Sequence, residues 1–252
     1  MEDYILTIPT IDPPVWKSLL MPPVSTYAQG VQALRKMGAT PLTFKENIQA
    51  RVEAYESGNH YLFDTWLDSC TGIVYKAETT EFKIVPNCEQ LRNISKDFSK
   101  KFLSVDYSKI EGYELDSGRK LFGIKYNKSL TKAEIIEHPA WLAVMEEDKA
   151  LLKTYMDIVF VEYATKYGAT SHLMGFYAGG ITDKMRRIDF LFDIYAKNIF
   201  SFPLNSLSSS DYYKGLLQNN QLRPVFINYL KDGSDAICNN GLNDASRFLA
   251  RW

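Results

Sequence analysis

The sequence predicts an α+β fold. An antiparallel or mixed sheet comes mainly from the first half, helices come mainly from the second, and the two share one core. Three observations lead there. Short β-rich runs follow one another from Tyr61 to about Tyr126 with no stretch long enough for a crossover helix between them. From Asp148 to about Tyr167 apolar residues cover most of a helical circumference, which marks a buried helix. Hydrophobic residues make up 46% of the 252 and charged residues 23%, ordinary values for a chain that buries a core.

Each element has its local reason. Tyr4–Ile8 reads as a short strand. Pro9, Pro13, Pro14, Pro22 and Pro23 then break the chain into extended pieces around Val15–Met21, a strap laid over the surface. Ser25–Met37 has helical spacing and stops at Gly38. Thr43-Phe44-Lys45-Glu46 is a capping box that opens a helix through Ile48, Val52 and Tyr55 to Gly58. Thr71–Lys76 and Glu81–Val85 form a hairpin about Ala77–Thr80, and Phe102–Tyr107, Tyr113–Leu115 and Leu121–Tyr126 add strands. Thr131-Lys132-Ala133-Glu134 is a second capping box, and Pro139 ends or kinks that helix near His138. Asp148 caps the long helix, with Tyr155, Met156, Val159 and Tyr163 in the core. Thr182–Ile199 is a further helix, and shorter ones follow at Tyr212–Leu217 and Val225–Leu230. Asn239-Asn240-Gly241 is a turn. Residues 1–252 read as a single compact unit. A lobe seam, if one divides it, falls near Lys128, with 1–128 rich in sheet and 129–252 rich in helix.

A net charge of −1 gives no field that would draw the chain to nucleic acid or an anionic membrane. No run approaches the ~20 apolar residues of a membrane span. The acidic start at Glu2 and Asp3 and the break at Pro9 do not fit a secretory signal, which points to the cytoplasm. Cys70, Cys88 and Cys238 are odd in number and not at metal-ligand spacing, so reduced thiols are expected, with no metal and no cofactor.

Phosphate-loop, dinucleotide-binding, zinc-protease, dithiol and serine-hydrolase motifs are all absent. Five weaker constellations remain. Gly179, Gly180 and Thr182, ahead of a predicted helix that carries Arg186 and Arg187, could hold a small anion through backbone N–H groups, although Asp183 opposes it. Asp189 and Asp193 share a helix face, but Arg186 and Lys197 stand at ion-pairing distance along the same helix, which makes a solvated salt-paired face the better account. Cys70 with His60 or His172 as base would make a nucleophile, set against the common buried structural thiol. His138 before Pro139 satisfies helix-end carbonyls. The basic and aromatic stretch Arg119–Lys128 suits single-stranded nucleic acid, and suits better an edge strand guarded by lysines.

No chemistry stands above its structural alternative. The leading function is binding, with a protein partner ahead of DNA or RNA. The runner-up is an enzyme acting on a small, phosphorylated substrate without a local signature. A deep pocket with convergent polar groups would favour the enzyme, and an exposed interaction patch would favour the binder.

Overall fold

A computed structural model of the chain describes residues 5–6, 17–19, 26–77, 79, 81–95, 97–116, 132–162, 219–227, 237–239 and 241–251. Its frame is a mixed sheet in which ten strands take part among the described residues. In chain order the elements are β1 (Ile5–Leu6), β2 (Lys17–Leu19), α1 (Tyr27–Lys36), β3 (Thr40–Pro41), α2 (Phe44–Glu56), β4 (Leu67–Tyr75), β5 (Glu81–Val85), α3 (Glu89–Arg92), β6 (Leu103–Ser104), β7 (Tyr113–Asp116), α4 (Lys132–Ile136), α5 (Pro139–Val144), α6 (Lys149–Glu162), β8 (Gln221–Ile227), β9 (Ile237–Asn239) and β10 (Phe248–Arg251). Single 3-10 turns lie at Tyr61–Asp64 and Tyr107–Lys109.

Strand β4 is the centre. All nine of its residues are buried, and it pairs antiparallel with β5 on one side and β8 on the other. A register shift between Asp68 and Gly72 bends it. Near its start β10 joins in parallel, Phe248 opposite Asp68, the parallel contact that makes the sheet mixed. Strand β10 also pairs with β2, which pairs with β1, so both chain ends close on the same strands. The predicted strap at Val15–Met21 thus holds a strand of the sheet. β8, β9 and β10 lie after residue 128 and β4, β5 and β7 before it, in one sheet.

Side-chain alternation sorts the core onto two faces. On one, Ile73, Tyr75, Phe82 and Ile84 meet α2, α5 and α6, with Trp141 fully buried among them. On the other, Val74 and Leu222 meet α1, α3 and the chain around Tyr107. β5 shows the pattern plainly: Phe82 and Ile84 are buried, while Glu81, Lys83 and Val85 between them are half-buried. Helix α1 packs closely because Gly30 carries no side chain. A Cβ there would stand 2.4 Å from the Phe248 ring, a contact that no rotamer of a packed core absorbs cheaply.

Much of the local reading holds. Thr43 and Glu46 form both halves of the capping box, Glu46 N–H to Thr43 Oγ1 at 3.2 Å and Thr43 N–H to Glu46 Oε2 at 2.8 Å. The hairpin is present. Asp148 caps α6 by accepting from Leu151 N–H at 3.0 Å. Tyr155, Met156 and Val159 are buried as expected, while Tyr163 lies outside the described residues. Two expectations are corrected. Val225–Leu230 does not begin a helix: Val225 to Ile227 belong to β8, because hydrogen-bonding to β4 decides the state of an apolar run that local pattern leaves ambiguous. Phe102–Tyr107 shrinks to the two residues of β6, followed by a 3-10 turn. The helix that starts at Lys132 does end ahead of Pro139, at Ile136, and Pro139 then begins α5 at its first position, where a missing N–H has no cost. Among the described residues helices stand on both sides of β4, with α1 and α2 before it, as predicted, and α4, α5 and α6 after β7. The predicted elements at Leu121–Tyr126, Thr182–Ile199 and Tyr212–Leu217 lie outside the described residues.

Candidate functional site

Gly179, Gly180, Thr182, Arg186 and Arg187, the pair Asp189 and Asp193, His172 and the stretch Arg119–Lys128 all lie outside the described residues. Among the described residues no group of histidine, cysteine and acidic side chains could hold a metal ion, and no helix is long and apolar enough to cross a membrane.

The candidates that are described serve the frame. Cys70 is a free, buried thiol whose Sγ lies 3.4 Å from Pro41 O and 3.6 Å from Asn87 Oδ1. Burial, with Glu46 adding to it, pushes its pKa up to about 12. Cys88 is likewise buried, and burial pushes it up to about 11. Neither forms thiolate at neutral pH, so neither is an activated nucleophile. Peptide mapping after alkylation of the native protein at pH 8 should therefore find both unmodified over minutes and both modified in urea. Rapid native labelling of Cys70 would restore it as a reactive group.

His60 stacks edge-on against Tyr55, ring centroids 4.7 Å apart. His138 is the N-cap of α5, and its Nδ1 accepts from Ala140 N–H at 3.3 Å. It thus satisfies helix donors, where the sequence suggested helix carbonyls. Burial holds its pKa below the usual 6.5. A base whose folded pKa is depressed binds fewer protons folded than unfolded, so its contribution is complete above about 6.5 and declines as pH falls below that value. The urea midpoint should drop between pH 7.5 and 5.5. His138→Asn, which keeps a capping acceptor, should flatten that slope; an unchanged slope would assign the loss to other groups.

A buried polar seam runs between helices α1 and α2 and strand β4. Asn47 Nδ2 donates to Asp68 O at 3.0 Å, Phe44 N–H to Thr71 Oγ1 at 2.8 Å, and Tyr27 Oη to Ser69 O at 2.8 Å. Arg51, fully buried, donates to Thr65 O at 2.5 Å and Tyr155 Oη at 3.2 Å and lies over the Phe63 ring. These groups join helix to sheet and have no exposure through which to act on a ligand.

One arrangement differs. The 3-10 turn Tyr61–Asp64 leads through Thr65 to Trp66, just before β4, and Arg247 stands just before β10. The parallel pairing of those strands brings the two together, with the Arg247 guanidinium 5.4 Å from the Trp66 ring centroid. The Arg247 backbone is held at both polar groups: its N–H donates to Asp68 Oδ2 at 3.0 Å, and its O accepts from Asp68 N–H at 2.7 Å. Both side chains are half-buried, and nearby in the chain Tyr61 is 47% exposed. Among the described residues the Arg247 guanidinium makes no ion pair and no side-chain hydrogen bond, and its Nε–H is buried without an acceptor. Arg251, by contrast, pairs with Glu46. Sequence reading did not find Trp66 and Arg247, which stand far apart in the chain. The aromatic density of Tyr61–Trp66 was the available signal, and nothing local coupled it to Arg247.

No family model and no curated protein matches the chain. A solved structure described as "Accommodation of massive sequence variation in Nanoarchaeota by the C-type lectin fold" superposes with a TM-score of 0.52, over 90% of this chain and 94% of that one, at 15% identity. The likeness places this chain on a C-type lectin fold; at that identity it speaks for the fold alone.

Proposed function

We infer that the chain is a binding protein whose ligand is another protein. The supporting observation is how the polar groups divide. Cys70, Cys88, His138 and Arg51 are buried or bonded into the frame, while the half-buried Arg247 guanidinium makes no ion pair and no side-chain hydrogen bond among the described residues and lies beside an aromatic ring. A half-buried guanidinium without a protein partner suits recognition, and catalysis would need a base or nucleophile with a shifted, usable pKa. The fold agrees: the neighbour of the same architecture is described as accommodating massive sequence variation, and a frame that tolerates a changing surface suits a binder. In this reading Gly179, Gly180 and Thr182, with Arg186 or Arg187, take an anionic group of the ligand.

The test begins with the tagged full chain in its source cells. A protein retained in constant ratio should then bind the purified chain in calorimetry at micromolar Kd or tighter. Recovery of a small molecule that the chain converts would replace this reading with the enzymatic one. In the same calorimeter, Arg186→Ala or Arg187→Ala should weaken binding of a sugar phosphate about tenfold, since a charge-assisted hydrogen bond contributes roughly 1.5–3 kcal/mol. Absence of binding by the wild type to every phosphate tried would remove the anion site.

A further inference from the structure

We propose that Trp66 and Arg247 form the anchor of the protein interface, and that the partner presents a carboxylate, from Asp or Glu, to the Arg247 guanidinium. This rests on the binding reading above and adds to it the place of contact and its chemistry. Arg247 is prepared for such a contact. Its backbone is fixed by Asp68 on both sides, and its planar head lies over the indole, so little freedom remains to be lost on binding. A planar guanidinium with free donors matches a carboxylate through two parallel hydrogen bonds. The half-buried guanidinium makes no ion pair and no side-chain hydrogen bond among the described residues, so its terminal nitrogens are the groups that a carboxylate would meet. Trp and Arg are also among the residue types that dominate interface energetics, and here the strand pairing sets one against the other.

A single carboxylate suits the surroundings better than a polyanion. Asp244 is exposed three residues before Arg247, and the chain as a whole carries −1. A nucleic-acid backbone laid across Arg247 would meet that acidic neighbour, whereas one side chain need not.

The experiment uses the full chain, labelled with nitrogen-15, and follows the Trp66 indole N–H and Arg247 Nε–H resonances. Four probes are titrated at fixed ionic strength: a capped hexapeptide with one glutamate among five serines, a capped hexaserine peptide, inorganic phosphate and a thymidine oligonucleotide. The glutamate peptide should shift both resonances saturably, and the serine peptide should not. Arg247→Met should weaken that binding at least tenfold and Trp66→Leu by a smaller factor. Arg35→Met, on exposed α1 surface, should leave it unchanged. An equal response to phosphate or to the oligonucleotide would overturn the choice of a protein carboxylate. No response to any probe, or full binding by Arg247→Met, would overturn the site. If the native partner is retained equally by wild type, Arg247→Met and Trp66→Leu, the binding reading stands and this inference fails.

Discussion

Replacing Arg51 with alanine should lower the unfolding free energy by about 3–5 kcal/mol, read from urea denaturation, through a cavity and orphaned polar groups together. The guanidinium is fully buried and links three elements: it leaves α2, reaches the carbonyl of Thr65 ahead of β4, and reaches the hydroxyl of Tyr155 on α6. Phe63 lies beneath it and stacks on Tyr155, ring centroids 6.1 Å apart. Burial pushes the Tyr155 hydroxyl above its ordinary pKa, and the opposing pull of Arg51 does not reverse that, so Tyr155 meets Arg51 as a neutral acceptor. Truncation therefore removes a large side chain and, with it, the donors that reach Thr65 O and Tyr155 Oη, in a place water reaches only by opening the core. Arg51→Met separates the two contributions. It refills much of the volume but restores no hydrogen bond, and its loss should be about 1–3 kcal/mol, that of unsatisfied buried groups alone. If Arg51→Ala and Arg51→Met are equally mild, below about 1 kcal/mol, the hydrogen bonds through Arg51 do not hold α2 to α6.

What sequence reading found and missed here follows from the range of each interaction. The box at Thr43 and Glu46 is complete within four residues, so it was readable, and so was the hairpin closed by Ala77–Thr80. The box at Thr26 and Gln29 is equally local and equally formed, with Gln29 N–H on Thr26 Oγ1 and Thr26 N–H on Gln29 Oε1. It escaped notice because glutamine there lacks the charge that draws attention. β8 could not be read: Pro224, Val225, Phe226 and Ile227 suit a buried helix or a buried strand, and the deciding partner, β4, lies about 150 residues earlier. β10 has the same difficulty in stronger form, since Phe248 takes its place from Asp68. The pair Trp66 and Arg247 exists only because of that same long-range pairing, so no local pattern could have revealed it.

Asp68→Ala is the test of that pairing, and it should cost about 1–3 kcal/mol, the range for leaving a buried donor without its acceptor. The Asp68 side chain is fully buried at the start of β4, and its Oδ2 accepts the N–H of Arg247. The backbone N–H of Asp68 donates to Arg247 O and survives the substitution, so the strand junction should be weakened without being removed. Two consequences distinguish a local anchor from general damage. First, the Arg247 amide should lose hydrogen-exchange protection by a larger factor than amides in the β4–β5 hairpin, which is held by its own ladder. Second, the Trp66 indole resonance should move toward its unfolded position at denaturant concentrations where the hairpin remains intact, because the guanidinium that stacks on it is positioned through the Arg247 backbone. Asp68→Asn keeps one acceptor for the Arg247 N–H but brings two amide donors into a closed site, so its loss should fall between wild type and Asp68→Ala. Uniform loss of protection through hairpin and junction alike would show that Asp68 supports the whole core; unchanged protection at Arg247 would show that the backbone bond alone fixes β10, and the carboxylate with it would drop out of the account of how Arg247 is held over Trp66.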